Sequence, residues 1–183
     1  MIHDSRYWKQ PLLASAEWLR SLKVSYEHDE KTLAQLEREI FIGFYAVRKL
    51  FDAPTKITDA TRARQVNVTW HPNRKPVDWR NAHAVDENYD FSISYQETRE
   101  IWFLCGRIIH SYVFMPFVDC LDDDNLHGVS GLMFASDIDK DKKLYVVDID
   151  TVIEIFELVG HDEVVELNWS KDPISGEETL KLL

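Results

Sequence analysis

The chain has little cysteine and no long hydrophobic run. Its two cysteines, Cys105 and Cys120, form neither a CxxC motif nor a disulfide framework, which favours a reducing compartment. The N-terminus lacks the apolar run of a secretory signal. The longest apolar stretch, residues 40–47, is far shorter than the ~20 residues that cross a bilayer. We therefore expect a soluble, cytoplasmic protein with no membrane contact.

Positive charge is scarce in the last third of the chain. Residues 119–183 contain 17 Asp and Glu but five Lys and Arg, whereas residues 1–118 contain 15 acidic and 16 basic side chains. The formal net charge of −11 is therefore a property of the C-terminal region. We expect the C-terminal region to give the folded domain an acidic surface, which should repel nucleic acid and anionic membranes and attract a basic protein partner.

The length of 183 residues and the 45% hydrophobic content predict one folded domain over residues 1–183, with a helical part at 1–54. Pro11 suits the first position of a first helix. Apolar residues at three- and four-residue spacing predict a second helix that ends near residue 52 and is central to the core. Its segment 40–45 is apolar on every side, so we expect it to be enclosed.

Residues 64–183 have the pattern of a sheet-rich part with inserted helices. Alternating or apolar segments predict strands at 66–70, 91–95, 112–118, 129–135 and 144–149, and a final hairpin from 164–169 and 179–182. Helical spacing appears from residue 97 and again after residue 151. Short connections between these segments favour an α+β fold, with the N-terminal helices packed on a mainly antiparallel sheet in a single domain.

Two acidic runs resemble metal-binding loops but lack essential features. Residues 137–141 begin like a calcium loop, but Lys142 replaces the turn glycine and Asp148 replaces the bidentate glutamate. The run 119–127 is rich in oxygen ligands without any fixed ligand spacing, and a nucleophilic pair of its Cys120 and His127 would lack an orienting group. We expect solvated loops, with no metal and no cofactor.

His110 lies in an apolar region, residues 101–118, where Arg107 and Ser111 are the other polar side chains. Buried polar groups need partners. His110 is therefore interpreted either as a helix-terminal residue that caps carbonyl groups, or as a polar centre paired with a carboxylate of the acidic loop. The second interpretation predicts a small hydrolase or metal-dependent enzyme centred on His110, Asp119 and His127, although no nucleophile is indicated.

Residues 56–80 form the one locally basic stretch, with six bases and two acids, and they include two tryptophans. Aromatic side chains among arginines can anchor an interface. The alternative is that the stretch forms salt bridges with the acidic third and buries its tryptophans.

Together these patterns favour a non-enzymatic, acidic binding or regulatory domain that engages a macromolecular partner. Nucleic acid is an unlikely partner because the net charge is negative. No oligomeric state is indicated. The candidate binding residues are Trp70, Arg74, Trp79, Arg80, Asp122, Asp123 and Asp124.

Overall fold

The structure, a computed structural model, describes residues 2–25, 30–118, 126–173 and 175–183. The helices in these ranges are α1 (Arg6–Ser21), α2 (Glu30–Asp52), α3 (Asp59–Arg62), α4 (Val85–Asn88), α5 (Ile101–Ile109) and α6 (Ile149–His161). The strands are β1 (Lys23–Ser25), β2 (Gln65–Pro72), β3 (Tyr95–Glu100), β4 (Ser111–Val118), β5 (Leu126–Ser136), β6 (Lys143–Asp148), β7 (Leu167–Lys171) and β8 (Glu178–Leu182).

All strand pairings in the described residues are antiparallel. The main sheet runs in the order β4-β5-β6-β2-β3, with β1 paired to the start of β5. Strands β7 and β8 form a separate hairpin. The α+β fold with helices on a mainly antiparallel sheet is therefore confirmed.

One face of the main sheet packs against α5 and α6, and α2 packs against α1, α5 and α6 in the core. Phe44 is fully buried, and its ring meets Phe156 of α6 edge-on at 5.3 Å between centroids. The two helices approach so closely that a Cβ atom at Gly43 would overlap the Phe156 ring. The prediction that α2 is central to the core is confirmed. The prediction that residues 40–45 are enclosed on every side is wrong. Ile42 and Tyr45 are 59% and 46% exposed, because the described elements pack against the other sides of this helix.

The opposite face of the sheet is covered by residues 73–90, which are mostly irregular. Neighbouring residues of a strand point to opposite faces. A second, smaller core lies there, formed by Val77, Val85, Tyr89, Val113, Ala135 and Leu144. This segment is tied to the β5–β6 turn, since the Tyr89 hydroxyl donates to the Lys140 carbonyl at 2.7 Å.

Two local predictions are wrong. Pro11 lies inside α1, not at its start, which leaves the Tyr7 carbonyl without its α-helical donor on a side where Tyr7 is 77% exposed to solvent. Residues 91–94 of the predicted strand 91–95 are not in a strand, because the Asp90 carboxylate accepts bonds from the Ser92 backbone and hydroxyl and makes a turn. The strand begins at Tyr95 and continues through the residues that looked like the start of α5.

Candidate partner-binding surface

The cations of the basic stretch find partners close by in the sequence. Four of its six cations are bonded within or next to the stretch: Arg62 to the carbonyl groups of Phe51 and Ala53, Arg74 to Asp90, Lys75 to Glu87, and Arg80 to Asp78. The three ion pairs have separations of 2.6–2.7 Å. Since these acids lie outside the acidic third, Arg74, Lys75 and Arg80 do not compensate the carboxylates of that third.

These bonds also change the acidity of the carboxyl groups. The Arg80 guanidinium holds the pKa of Asp78 below its ordinary value, and the Lys75 ammonium does the same for Glu87. The pKa of Asp90 is lowered first by the Ser92 hydroxyl and then by Arg74. The charges near Trp79 are therefore already engaged inside the molecule.

The two tryptophans of the basic stretch lie in different surroundings. Trp70 faces the main core and stacks on Tyr95 at 4.3 Å, with the Lys143 ammonium 4.2 Å from its ring centroid. Trp79 belongs to the segment on the opposite face and is 81% exposed. The structure does not present them as one aromatic surface, so Trp79 with Arg80 stays a separate predicted contact.

A cluster of alternating charges surrounds Trp70. Lys143 lies 3.3 Å from Glu97, and Arg99 bonds the same carboxylate at 2.9 Å. Burial opposes ionisation of Glu97, but the bonds from Arg99 and Lys143 outweigh it and lower its pKa. The two cations share one carboxylate, so the cluster links β3 to β6 and keeps one net positive charge.

Arg107, which sequence analysis identified as a polar group in an apolar helix, has a partner on the β5–β6 turn. Its Nε lies 2.9 Å from Asp139 Oδ2, although the N–H is poorly aligned for a hydrogen bond. Its guanidinium also lies 4.8 Å from the Phe103 ring centroid. Burial of Arg107 is therefore compensated locally.

The enzymatic alternative stays a prediction, because His110 is the one of its three residues whose side chain the structure describes. His110 is the exposed C-cap residue of α5. Asp119 lies outside the described residues, as do Cys120 and the candidate contacts Asp122, Asp123 and Asp124. The backbone of His127 pairs with Val24.

Cysteine and metal chemistry find little support in the described ranges. Cys105 is buried in the main core, and burial raises the pKa of its thiol to about 12, which keeps it protonated at neutral pH. No group of three His, Cys, Asp or Glu side chains is placed to hold a metal ion among the residues described.

An open groove of about 720 Å³ lies between α3, the start of β2 and the exposed side of α6. Its charged lining consists of Arg64 and three carboxylates, Asp148, Glu154 and Glu157. Glu157 pairs with Arg20 at 2.9 Å, which lowers the pKa of that carboxyl. The groove is therefore acidic. Its walls come from segments that are distant in the sequence, so no local pattern predicted it.

Two of the groove carboxylates keep their charge unpaired. Neither Asp148 nor Glu154 forms a salt bridge with any described residue, and both are exposed. Asp150, one turn before Glu154 on the same side of α6, is also exposed without such a bridge. The spacing of acids at 150, 154 and 157 was the sequence signal for this surface, since these positions share one side of a helix.

In comparisons with protein-family models, curated proteins and solved structures, nothing matches this chain. Among the described helices, none combines the length and apolarity that a membrane crossing requires.

Proposed function

We propose that this protein acts by binding a basic protein partner, and that the contact includes the acidic groove and the exposed side of α6. The observation that carries the proposal is the unpaired state of Asp148 and Glu154 in an open groove. Arg64 also lines the groove but forms no salt bridge with either carboxylate, and Arg74, Lys75 and Arg80 of the basic stretch are bonded to local acids instead. The charges of Asp148 and Glu154 are thus available to an external cation.

The chemistry of the groove favours association over catalysis. Exposed carboxylates add little to folding stability, but their fields sum and accelerate encounter with an oppositely charged partner. The described residues that line the groove include no Ser, Cys, His, Lys or Tyr. Threonine is the hydroxyl residue present, at Thr61 and Thr151, and no histidine or lysine of the lining could activate it. The groove is better suited to accept Lys or Arg side chains.

The experiment is a binding titration with a fluorescent octapeptide of lysine at low salt. The test variant is Asp148→Asn with Glu154→Gln, in which Asn keeps a favourable residue at the N-cap of α6. The matched control is Glu87→Gln with Asp90→Asn, which changes net charge equally at two carboxylates that are already ion-paired.

We expect the test variant to weaken peptide binding by about 0.5–2 kcal/mol, the sum of two exposed charge contacts, and the control to have a smaller effect. Equal losses in the two variants would contradict the proposal, because overall charge and not the groove would then determine binding.

A further inference from the structure

The hairpin of β7 and β8 stands apart from the main sheet. Its strands pair with each other from Leu167↔Leu182 to Lys171↔Glu178, and neither pairs with another described strand. A two-stranded hairpin is at best marginally stable in water, and a third strand or a packed layer normally supports it. The hairpin could therefore accept a third strand.

The two faces of the hairpin differ in chemistry. Directly paired residues share a face, so one face is polar and the other is apolar up to the Lys171–Glu178 pair at its end. The polar face consists of Asn168, Ser170, Thr179 and Lys181, and the apolar part of the other face consists of Leu167, Trp169, Leu180 and Leu182. On the apolar face Leu182 is buried at the base, but Leu167, Trp169 and Leu180 are 50%, 58% and 37% exposed. Exposed apolar side chains that share one face are a candidate interaction surface.

The backbone pattern leaves the outer edge of β7 open. Glu166 and Leu183 exchange both hydrogen bonds, at 3.0 Å each. Because bonded and non-bonded pairs alternate in an antiparallel ladder, the N–H and C=O groups of Leu167, Trp169 and Lys171 point away from β8. These groups have no backbone partner among the described residues.

The outer edge of β8 is closed at its end. The Leu182 N–H, which points away from β7 by the same alternation, donates to Asp59 Oδ2 at 3.0 Å. This bond also places the hairpin against α3, whose residues Ala60 and Thr61 line the acidic groove. The hairpin and the groove thus adjoin the same helix, α3, and together they form the acidic side of the molecule.

The charge around the hairpin indicates which kind of chain could bind at the open edge of β7. Residues 162–183 contain six acids and two bases. Glu163 and Glu177 form no salt bridge with any described residue, while Lys171 is already paired with Glu178 at 3.0 Å. A second copy of the chain would bring like charges together, whereas a segment rich in Lys or Arg would meet opposite charge.

We propose that β7 accepts an extended, basic segment of a partner protein as a third strand. The segment bonds to the open groups of Leu167 and Trp169, places apolar side chains beside Trp169, and places alternate Lys or Arg side chains near the carboxylates. This inference rests on the proposed function, because the same acidic side supplies the charge, and it specifies the form of the partner.

The test uses the full chain and a fluorescent octapeptide of alternating valine and lysine. Two further peptides carry N-methyl groups on every second residue, one in each register, so that each can hydrogen-bond along one edge at most. We expect one of the two to lose binding by about tenfold or more, because its donors to the β7 edge are blocked. These peptides leave the protein unchanged, so the result does not depend on the folding of a variant.

A matched pair of variants tests the apolar face. Trp169→Ser should weaken the alternating peptide by about tenfold, whereas Ser170→Ala, on the polar face of the same strand, should change its affinity by less than about twofold. Circular dichroism and sedimentation of both variants establish that each is folded and at the same oligomeric state.

Each alternative outcome has a separate consequence. Undiminished binding of both N-methylated peptides, with loss in the Asp148→Asn, Glu154→Gln variant, would overturn strand addition and leave the groove as the site. A dimer that Trp169→Ser dissociates would assign the face to a second copy and overturn this inference. If the wild type binds neither the alternating octapeptide nor the lysine octapeptide, the proposed function is overturned as well.

Discussion

The basic stretch at residues 56–80 and the acidic side formed by α6 and the C-terminal hairpin carry comparable densities of charge but use them differently. In the basic stretch, Arg74, Lys75 and Arg80 are each bonded to a carboxylate within 2.7 Å. On the acidic side, Asp148 and Glu154 have no such bond among the described residues. A charged stretch therefore produces an external field only where the fold supplies no counter-charge.

A carboxylate at the end of α6, that of Asp162, has a structural role instead. Asp162, at the end of α6, is 9% exposed and accepts from the Thr58 hydroxyl at 2.6 Å and from the Thr58 backbone at 3.1 Å. Lys9 of α1 lies 3.8 Å away and donates to the Asp162 carbonyl. Burial lowers the pKa of Lys9, and the Asp162 charge opposes that shift.

The largest effect should come from removing this buried acid. Asp162→Ala leaves Lys9 buried without its carboxylate and removes the acceptor of Thr58, so we expect a loss of about 3–5 kcal/mol in the free energy of unfolding. Glu154→Ala, an exposed acid on the same helix, should change it by less than about 0.5 kcal/mol. Denaturant melts measure both values, and similar losses would remove the distinction between structural and available carboxylates.

The two tryptophans give the next largest contrast. Trp70→Ala removes the stack on Tyr95 and the contact with Lys143, and should cost about 2–3 kcal/mol, somewhat less than a fully buried aromatic. Trp79→Ala should cost less than about 0.5 kcal/mol, because its side chain is 81% exposed. A large loss for Trp79→Ala in the same melts would mean that this ring is packed in solution and does not serve as a contact.

A smaller effect concerns the pKa of Glu87, which is lowered by Lys75. Glu87 stays ionised to lower pH in the folded state than in the unfolded state, where its pKa is about 4.3. Its small stabilisation is therefore present above that value and disappears as the pH falls through the folded pKa. Lys75→Met should raise the pKa of Glu87 in an NMR titration. Lys142→Met, which removes an exposed lysine elsewhere, should not, and a similar rise there would point to general charge effects.

Much of the fold was predictable because local spacing determines which side of an element is apolar. The stripe through Phe44 identified α2 as central, and alternation identified most strands. The position of β3 was missed because the turn at Asp90 and the pairing with β2 decide where that strand begins. The exposure of Ile42 was missed because spacing along one helix does not reveal how many sides the neighbours cover.

The charge surplus of the last third was visible in the sequence, but the unpaired carboxylates were not. Pairs such as Arg20 with Glu157, 137 residues apart, depend on tertiary contacts between α1 and α6. The alternation that placed Trp70 in a strand could not indicate that residues 73–90 fold over the opposite face and expose Trp79. Local patterns therefore predict elements and bulk charge, whereas long-range contacts decide which charges remain available.

The most direct test of this account is the salt dependence of lysine-octapeptide binding in the wild type, the Asp148→Asn, Glu154→Gln variant, and the Glu87→Gln, Asp90→Asn control. If the groove carboxylates face a basic partner, the slope of log affinity against log salt becomes shallower in the first variant and stays near the wild-type slope in the control, while the melting transition of the groove variant is nearly unchanged. Slopes that flatten equally in both variants would contradict the account, because the acidic side would then be one part of a uniform negative surface.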